Sequence, residues 1–117
     1  MKIYSEDKLQ QDCFVWYHNT YCLKNKVPRG LIFSIPNGSS RDIREAVKLK
    51  ATGLTKGASD LIVIAPNGKL MFIELKTDNG VQSEYQKEFE KRVTALGYEY
   101  HLIRSLEEFK MLIENSK

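Results

Sequence analysis

Two short runs constrain the fold of this chain more than any other feature. D-L-I-V-I-A at 60–65 and K-L-M-F-I-E-L-K at 69–76 are apolar at successive positions and are separated only by P-N-G. A strand with one wet face alternates apolar and polar residues, and these do not. They read as central strands of a sheet covered on both faces. Yet the second run ends on Glu74 and Lys76, two ionisable side chains that period-2 alternation puts on one face.

The linking turn decides what those charges meet. Asn67-Gly68 alone would form a two-residue type I′ loop, set Pro66 opposite Lys69, and leave Asp60 and Glu74 on opposite faces. A-P-N-G favours the other solution. Pro66 supplies the fixed φ of a type I turn, and Gly68 the left-handed residue of a G1 bulge. The loop is then 66–68, Ala65 pairs with Lys69, and Asp60 lies directly opposite Glu74 on one face, Cβ atoms about 5 Å apart. Two carboxylates that close repel unless a proton or cation lies between them. A hard divalent cation with oxygen ligands satisfies both, and Lys76 adds a donor beside it.

The rest of the chain supplies covering elements. Ser5 caps a helix over about 6–24, with Leu9, Cys13, Trp16 and Tyr17 as its apolar stripe. L-I-F-S-I at 31–35 is a strand, and a helix fits about 40–52 with Gly53 just past its end. A third helix covers about 84–96, with Tyr85, Phe89, Val93 and Leu96 on one face. A strand follows at 98–103, then a helix at about 106–115 started by a Ser105/Glu108 capping box. The order αβαββαβα implies an α/β domain, a mixed four-stranded sheet flanked by helices. No repeat or linker divides residues 1–117, so one domain is expected.

Hydrophobic residues make up 42% and charged residues 28%, which excludes a disordered chain. No apolar run reaches the roughly 20 residues of a membrane span. M-K-I-Y-S-E-D-K has no apolar h-region, which argues against export and for a cytoplasmic protein. Cys13 and Cys22 lack CxxC spacing and read as free thiols. His18 and His101 fit no zinc pattern, and the glycines form no phosphate loop, so no nucleotide cofactor is expected. The net charge of +3 is unevenly placed: residues 1–58 carry ten Lys/Arg against five Asp/Glu, and residues 59–117 carry eight against ten. A basic half suits a polyphosphate partner, although a solvated lysine-rich face looks the same in sequence.

Together G-A-S-D, a strand, a turn, a strand ending in E-L-K, and then a helix carrying Gln resemble the PD-(D/E)xK nucleases. More narrowly, the chain is similar to the stand-alone VRR-NUC domains of phages and bacteria. S-E-D-K-L-Q, I-P-N-G, K-x-x-G-L-T-K-G-A-S-D, N-G-V-Q-S-E-Y-Q-K-E-F and R-S-L-E-E-F carry the likeness in order. Where the family often has Pro before the aspartate, this chain has Ala58-Ser59-Asp60. The resemblance implies a restriction-endonuclease-like core and a Mg²⁺- or Mn²⁺-dependent endonuclease. It implies that Asp60, Glu74 and the backbone carbonyl of Leu75 bind metal, with Glu6 an outer ligand through water or a ligand to a second metal. It implies that Lys76 positions the attacking water or stabilises the transition state, and that Gln86 supports Lys76 or the phosphate. Gln86 is also the fourth residue of an S-x-x-Q capping box, and Glu6 also suits a helix first turn.

Arg41, Arg44, Lys50, Lys56 and Lys87 are the candidate DNA contacts. Stand-alone members resemble Holliday-junction resolvases, which implies a homodimer acting on branched DNA. The alternatives are a flap or nicking nuclease without junction preference, a catalytically silent DNA-binding module, and a small metal-binding structural protein.

Overall fold

The structure, a computed structural model, describes residues 4–36 and 50–117. Its elements are α1 (Glu6–Tyr17), a π-helical turn (His18–Cys22), β1 (Leu31–Ser34), β2 (Leu61–Ile64), β3 (Leu70–Leu75), α2 (Glu84–Ala95), β4 (Glu99–Ile103) and α3 (Leu106–Asn115). The expected helix over 40–52 lies outside the described residues except at its last three positions.

The four strands form one mixed sheet, as the sequence predicts, in the order β1-β2-β3-β4. β1, β2 and β3 are successively antiparallel, and β4 runs parallel to β3. A parallel neighbour needs a crossover, and α2 is that crossover.

One sheet face is dry. Leu61, Val63, Met71, Ile73, Leu75 and Ile103 bury against Leu9, Cys13 and Tyr17 of α1 and Phe109 and Ile113 of α3. Each such aliphatic side chain contributes about 1.5–3 kcal/mol by leaving water. The opposite face is also covered, as expected: Glu74 and Tyr100 are buried on it, and Ile62, Ile64 and Phe72 are half-buried. Among the described residues α2 covers that face, and it packs on β3 and β4: Phe89 meets Phe72 edge-on at 5.4 Å and Tyr100 at 6.2 Å.

Two helix expectations change. The first helix is α-helical only to Tyr17 and then widens into a π turn, where the Thr20 hydroxyl donates to the Trp16 carbonyl at 2.7 Å. The wider turn lets Tyr17 and Cys22, five residues apart, both reach the core. At α3, Ser105 Oγ accepts from the Glu108 N–H at 3.1 Å, but the Glu108 carboxylate takes the Arg104 N–H rather than closing the box. Cys13 and Cys22 are free and buried.

Candidate metal centre

The hairpin has the bulged geometry its turn residues demand. The Gly68 N–H donates to the Ala65 carbonyl at 2.8 Å, Gly68 has φ +88°, and the Ala65 N–H donates to Lys69 at 2.8 Å. The Asn67 side chain caps the turn by accepting from the Lys69 N–H at 3.0 Å. Ile64 pairs with Leu70 and Leu61 with Ile73. The ladder ends there: the Asp60 N–H donates to the Ile73 carbonyl at 3.0 Å, so Asp60 and Leu61 both oppose Ile73 and the expected direct opposition of Asp60 and Glu74 gives way to a bulge. The two carboxyls still meet, because Asp60 reaches past Ile73 to the Leu75 N–H beside Glu74.

Each carboxylate is in an environment that opposes its charge. Asp60 Oδ2 accepts from the Leu75 N–H at 2.7 Å. Burial nonetheless raises its pKa above the ordinary aspartate value, against the pull of the Leu75 N–H; Glu6 raises it further and Lys76 opposes. Glu74 is 1% exposed. Burial, then the neighbouring Asp60 charge, push its pKa up to about 7, with Lys76 pulling the other way. Its Oε2 accepts from Gln86 Nε2 at 3.0 Å and lies 3.5 Å from Lys76 Nζ. Its Oε1 is buried and, among the described residues, has no hydrogen-bond partner.

A buried carboxyl oxygen without a donor is costly, and beside Asp60 only a shared proton or a bound cation can satisfy it. Here it lies beside a second carboxylate short of compensation. The donor set fits a hard divalent cation: two carboxylates, plus the Leu75 carbonyl, which an extended residue presents on the same side as the N–H bonded to Asp60. Among the described residues no third His, Cys, Asp or Glu joins them in a cluster. Glu6 lies in the exposed first turn of α1, near enough for its charge to act on Asp60.

Gln86 carries both roles that its position suggests. Its Oε1 accepts from the Ser83 N–H at 2.8 Å while Ser83 Oγ accepts from the Gln86 N–H at 3.2 Å, a complete capping box. Because the cap takes the amide oxygen, the NH₂ group is left for Glu74. Ser59, where the family often has Pro, is buried with its hydroxyl on the Leu61 carbonyl at 3.3 Å.

The basic candidates are scattered. Lys56 lies over the Tyr85 ring, Nζ 4.2 Å from the centroid. Lys87 pairs with Glu84 at 3.4 Å, one turn along α2, and Lys50 is exposed. Arg41 and Arg44 lie outside the described residues.

Two features escaped the sequence reading. A Cβ on Gly57, at φ +85°, would meet the Tyr85 backbone and lie 2.8 Å from Gln86 N, so only glycine lets the Asp60 loop dock on the first turn of α2. A glycine three residues before the aspartate was the available signal. Gln82 Nε2 bridges Tyr100 Oη at 3.1 Å and Glu90 at 3.0 Å, and its partners come from tertiary structure alone.

Comparison with known proteins agrees with this architecture. The VRR-NUC domain family matches residues 2–107. A solved structure described as a VRR_NUC domain protein superposes with TM-score 0.76 at 24% identity, covering 98% of this chain and 89% of its own. A second, described as a VRR_NUC domain, gives TM-score 0.66 at 20% identity over 96% and 97%. No curated protein matches. No described helix is long and apolar enough to cross a membrane.

Proposed function

The chain belongs to the VRR-NUC domain family, whose fold is of the nuclease type, and on that footing we propose that it is a Mg²⁺- or Mn²⁺-dependent endonuclease acting on branched DNA. The observation that carries this reading is the unpartnered Glu74 Oε1, buried beside Asp60. Asp60, Glu74 and the Leu75 carbonyl would hold the cation, with Glu6 reaching it through water. A bound divalent cation supplies positive charge for the scissile phosphate and acidifies a water.

The protein's own groups do the positioning. Gln86 holds Glu74 Oε2 in place. Lys76, with its side chain 12% exposed, keeps an ammonium at the edge of the site, where it can orient the attacking water and neutralise developing charge. Arg41, Arg44, Lys50, Lys56 and Lys87 are the proposed backbone contacts.

A homodimer is part of the proposal. Leu31 and Phe33 on edge strand β1 are 52% and 40% exposed and lie on the same face as the site, so a second copy has apolar surface to cover. Light scattering that shows only monomer, with and without a four-way junction, would remove this part.

The test is cleavage of labelled linear, flapped and four-way-junction DNA with Mg²⁺, Mn²⁺ or EDTA. Cleavage should need the metal, favour branched substrates, and disappear in Glu74→Ala and Lys76→Ala. Activity persisting in EDTA refutes the metal mechanism. Equal cleavage of flap and junction favours the simpler flap nuclease, and DNA binding without cleavage under any metal favours a silent module.

A further inference from the structure

We infer that Tyr85 and the groove beside it form a stacking site for an unpaired nucleobase of the DNA whose phosphodiester lies at the metal centre. The inference rests on the nuclease reading and specifies what part of a branched substrate is read.

Tyr85 heads the apolar stripe of α2 but is 55% exposed, while Val93 in the same stripe is buried. Leu96, at the other end, is 75% exposed. Between them runs a groove of about 370 Å³ on α2, lined by Thr55, Lys56, Tyr85, Phe89, Arg92 and Leu96, with Glu88 the one acidic group on it among the described residues. The floor is apolar and aromatic, and the rim carries two cations against one carboxylate; the Lys56 ammonium, 4.2 Å over the Tyr85 ring, holds the place a base would take and would move to its phosphate. An unpaired nucleotide has the matching parts, a flat π surface joined to a phosphate. A peptide or lipid ligand would leave the aromatic face and cationic rim without a common purpose.

No residue of the metal centre lines the groove, but the chain ties the two together at two points. Tyr85 directly precedes Gln86, whose amide holds Glu74 at 3.0 Å. Lys56, four residues before Asp60, lies over the Tyr85 ring, and Gly57 next to it packs against the Tyr85 backbone. A strand with its phosphate at Asp60 and Glu74 would then have Tyr85, on the helix that holds Glu74, open to a nearby base. In intact duplex that base is already stacked and paired. At a flap or branch it is free, and the site selects for it.

The test reads binding without metal. Fluorescence anisotropy in EDTA compares a blunt duplex with the same duplex carrying a short single-stranded flap that contains 2-aminopurine. Wild type should bind the flapped duplex more tightly and quench the 2-aminopurine. Tyr85→Ala should weaken flap binding about fivefold to a hundredfold and blunt-duplex binding far less, any change there coming through Lys56, which rests on the ring. Tyr85→Phe should behave as wild type. Equal binding of both duplexes by wild type, an unchanged preference in Tyr85→Ala, or equal loss on both duplexes overturns the inference. Loss of cleavage with Mg²⁺ while flap selectivity persists would instead count against the nuclease reading alone.

Discussion

The Asp60 and Glu74 carboxyls meet where β2 and β3 begin and end side by side, and the only buried side-chain oxygen without a donor among the described residues belongs to this pair. The pair is electrostatically costly as it stands. A fold keeps such a pair where the charge is used.

Glu74→Gln should inactivate and stabilise together. The amide removes the buried charge and its repulsion with Asp60, so the melting temperature in EDTA at pH 8 should rise. Cleavage with Mg²⁺ should fall about a thousandfold, the equivalent of several kcal/mol of lost charge stabilisation. A variant both less stable and fully active would contradict the assignment.

Stability of the metal-free protein should decline with pH. Glu74 titrates near 7 in the fold against 4.5 as a free side chain, with Asp60 also raised. A carboxyl with a raised pKa binds its proton more tightly when folded. Its stabilisation is complete below the unfolded value and is lost as pH climbs through the folded one. The loss should amount to roughly 3 kcal/mol between pH 4.5 and 7.5. Mg²⁺ or Mn²⁺ should flatten the dependence. Thermal melts across that range, with EDTA and with metal, check both halves.

Gln86 permits separation of helix starting from chemistry. Gln86→Glu keeps an acceptor for the Ser83 N–H but turns a carboxylate oxygen toward Glu74 Oε2. The melting temperature of the metal-loaded protein should change little, while cleavage drops about 10–100-fold, as for other groups that orient a metal ligand. Gln86→Ala should lose both. Wild-type activity in Gln86→Glu would mean the bond to Glu74 has no role.

Gly57→Ala should uncouple the Asp60 loop from α2. The added methyl meets the Tyr85 backbone, and the φ of +85° is itself unfavourable for alanine. Metal affinity and cleavage should fall together although no ligand has changed. Calorimetric titration of Mn²⁺ into this variant gives the affinity directly.

What the sequence made legible follows from how local each constraint is. The hairpin register could be read because Pro66, Asn67 and Gly68 each have a steric or hydrogen-bonding demand met within four residues. The Ser83–Gln86 box was legible for the same reason. The second bond of Gln86, to Glu74, was not derivable from spacing, because it depends on how α2 crosses the sheet. The exposure of Tyr85 and Leu96 was hidden too: periodicity puts them on the apolar face, but α2 rests on β3 and β4 through Phe89 and leaves its ends uncovered. The end of the first helix was misjudged because apolar periodicity does not distinguish an α turn from the π turn at His18–Cys22.

The central claim is that Asp60 and Glu74 share one divalent cation. Crystals soaked in Mn²⁺ and measured at a wavelength where manganese scatters anomalously test it directly. The account predicts an anomalous peak within coordination distance of a carboxylate oxygen of both residues and of the Leu75 carbonyl. A map with no peak there, or with manganese bound only elsewhere, contradicts it.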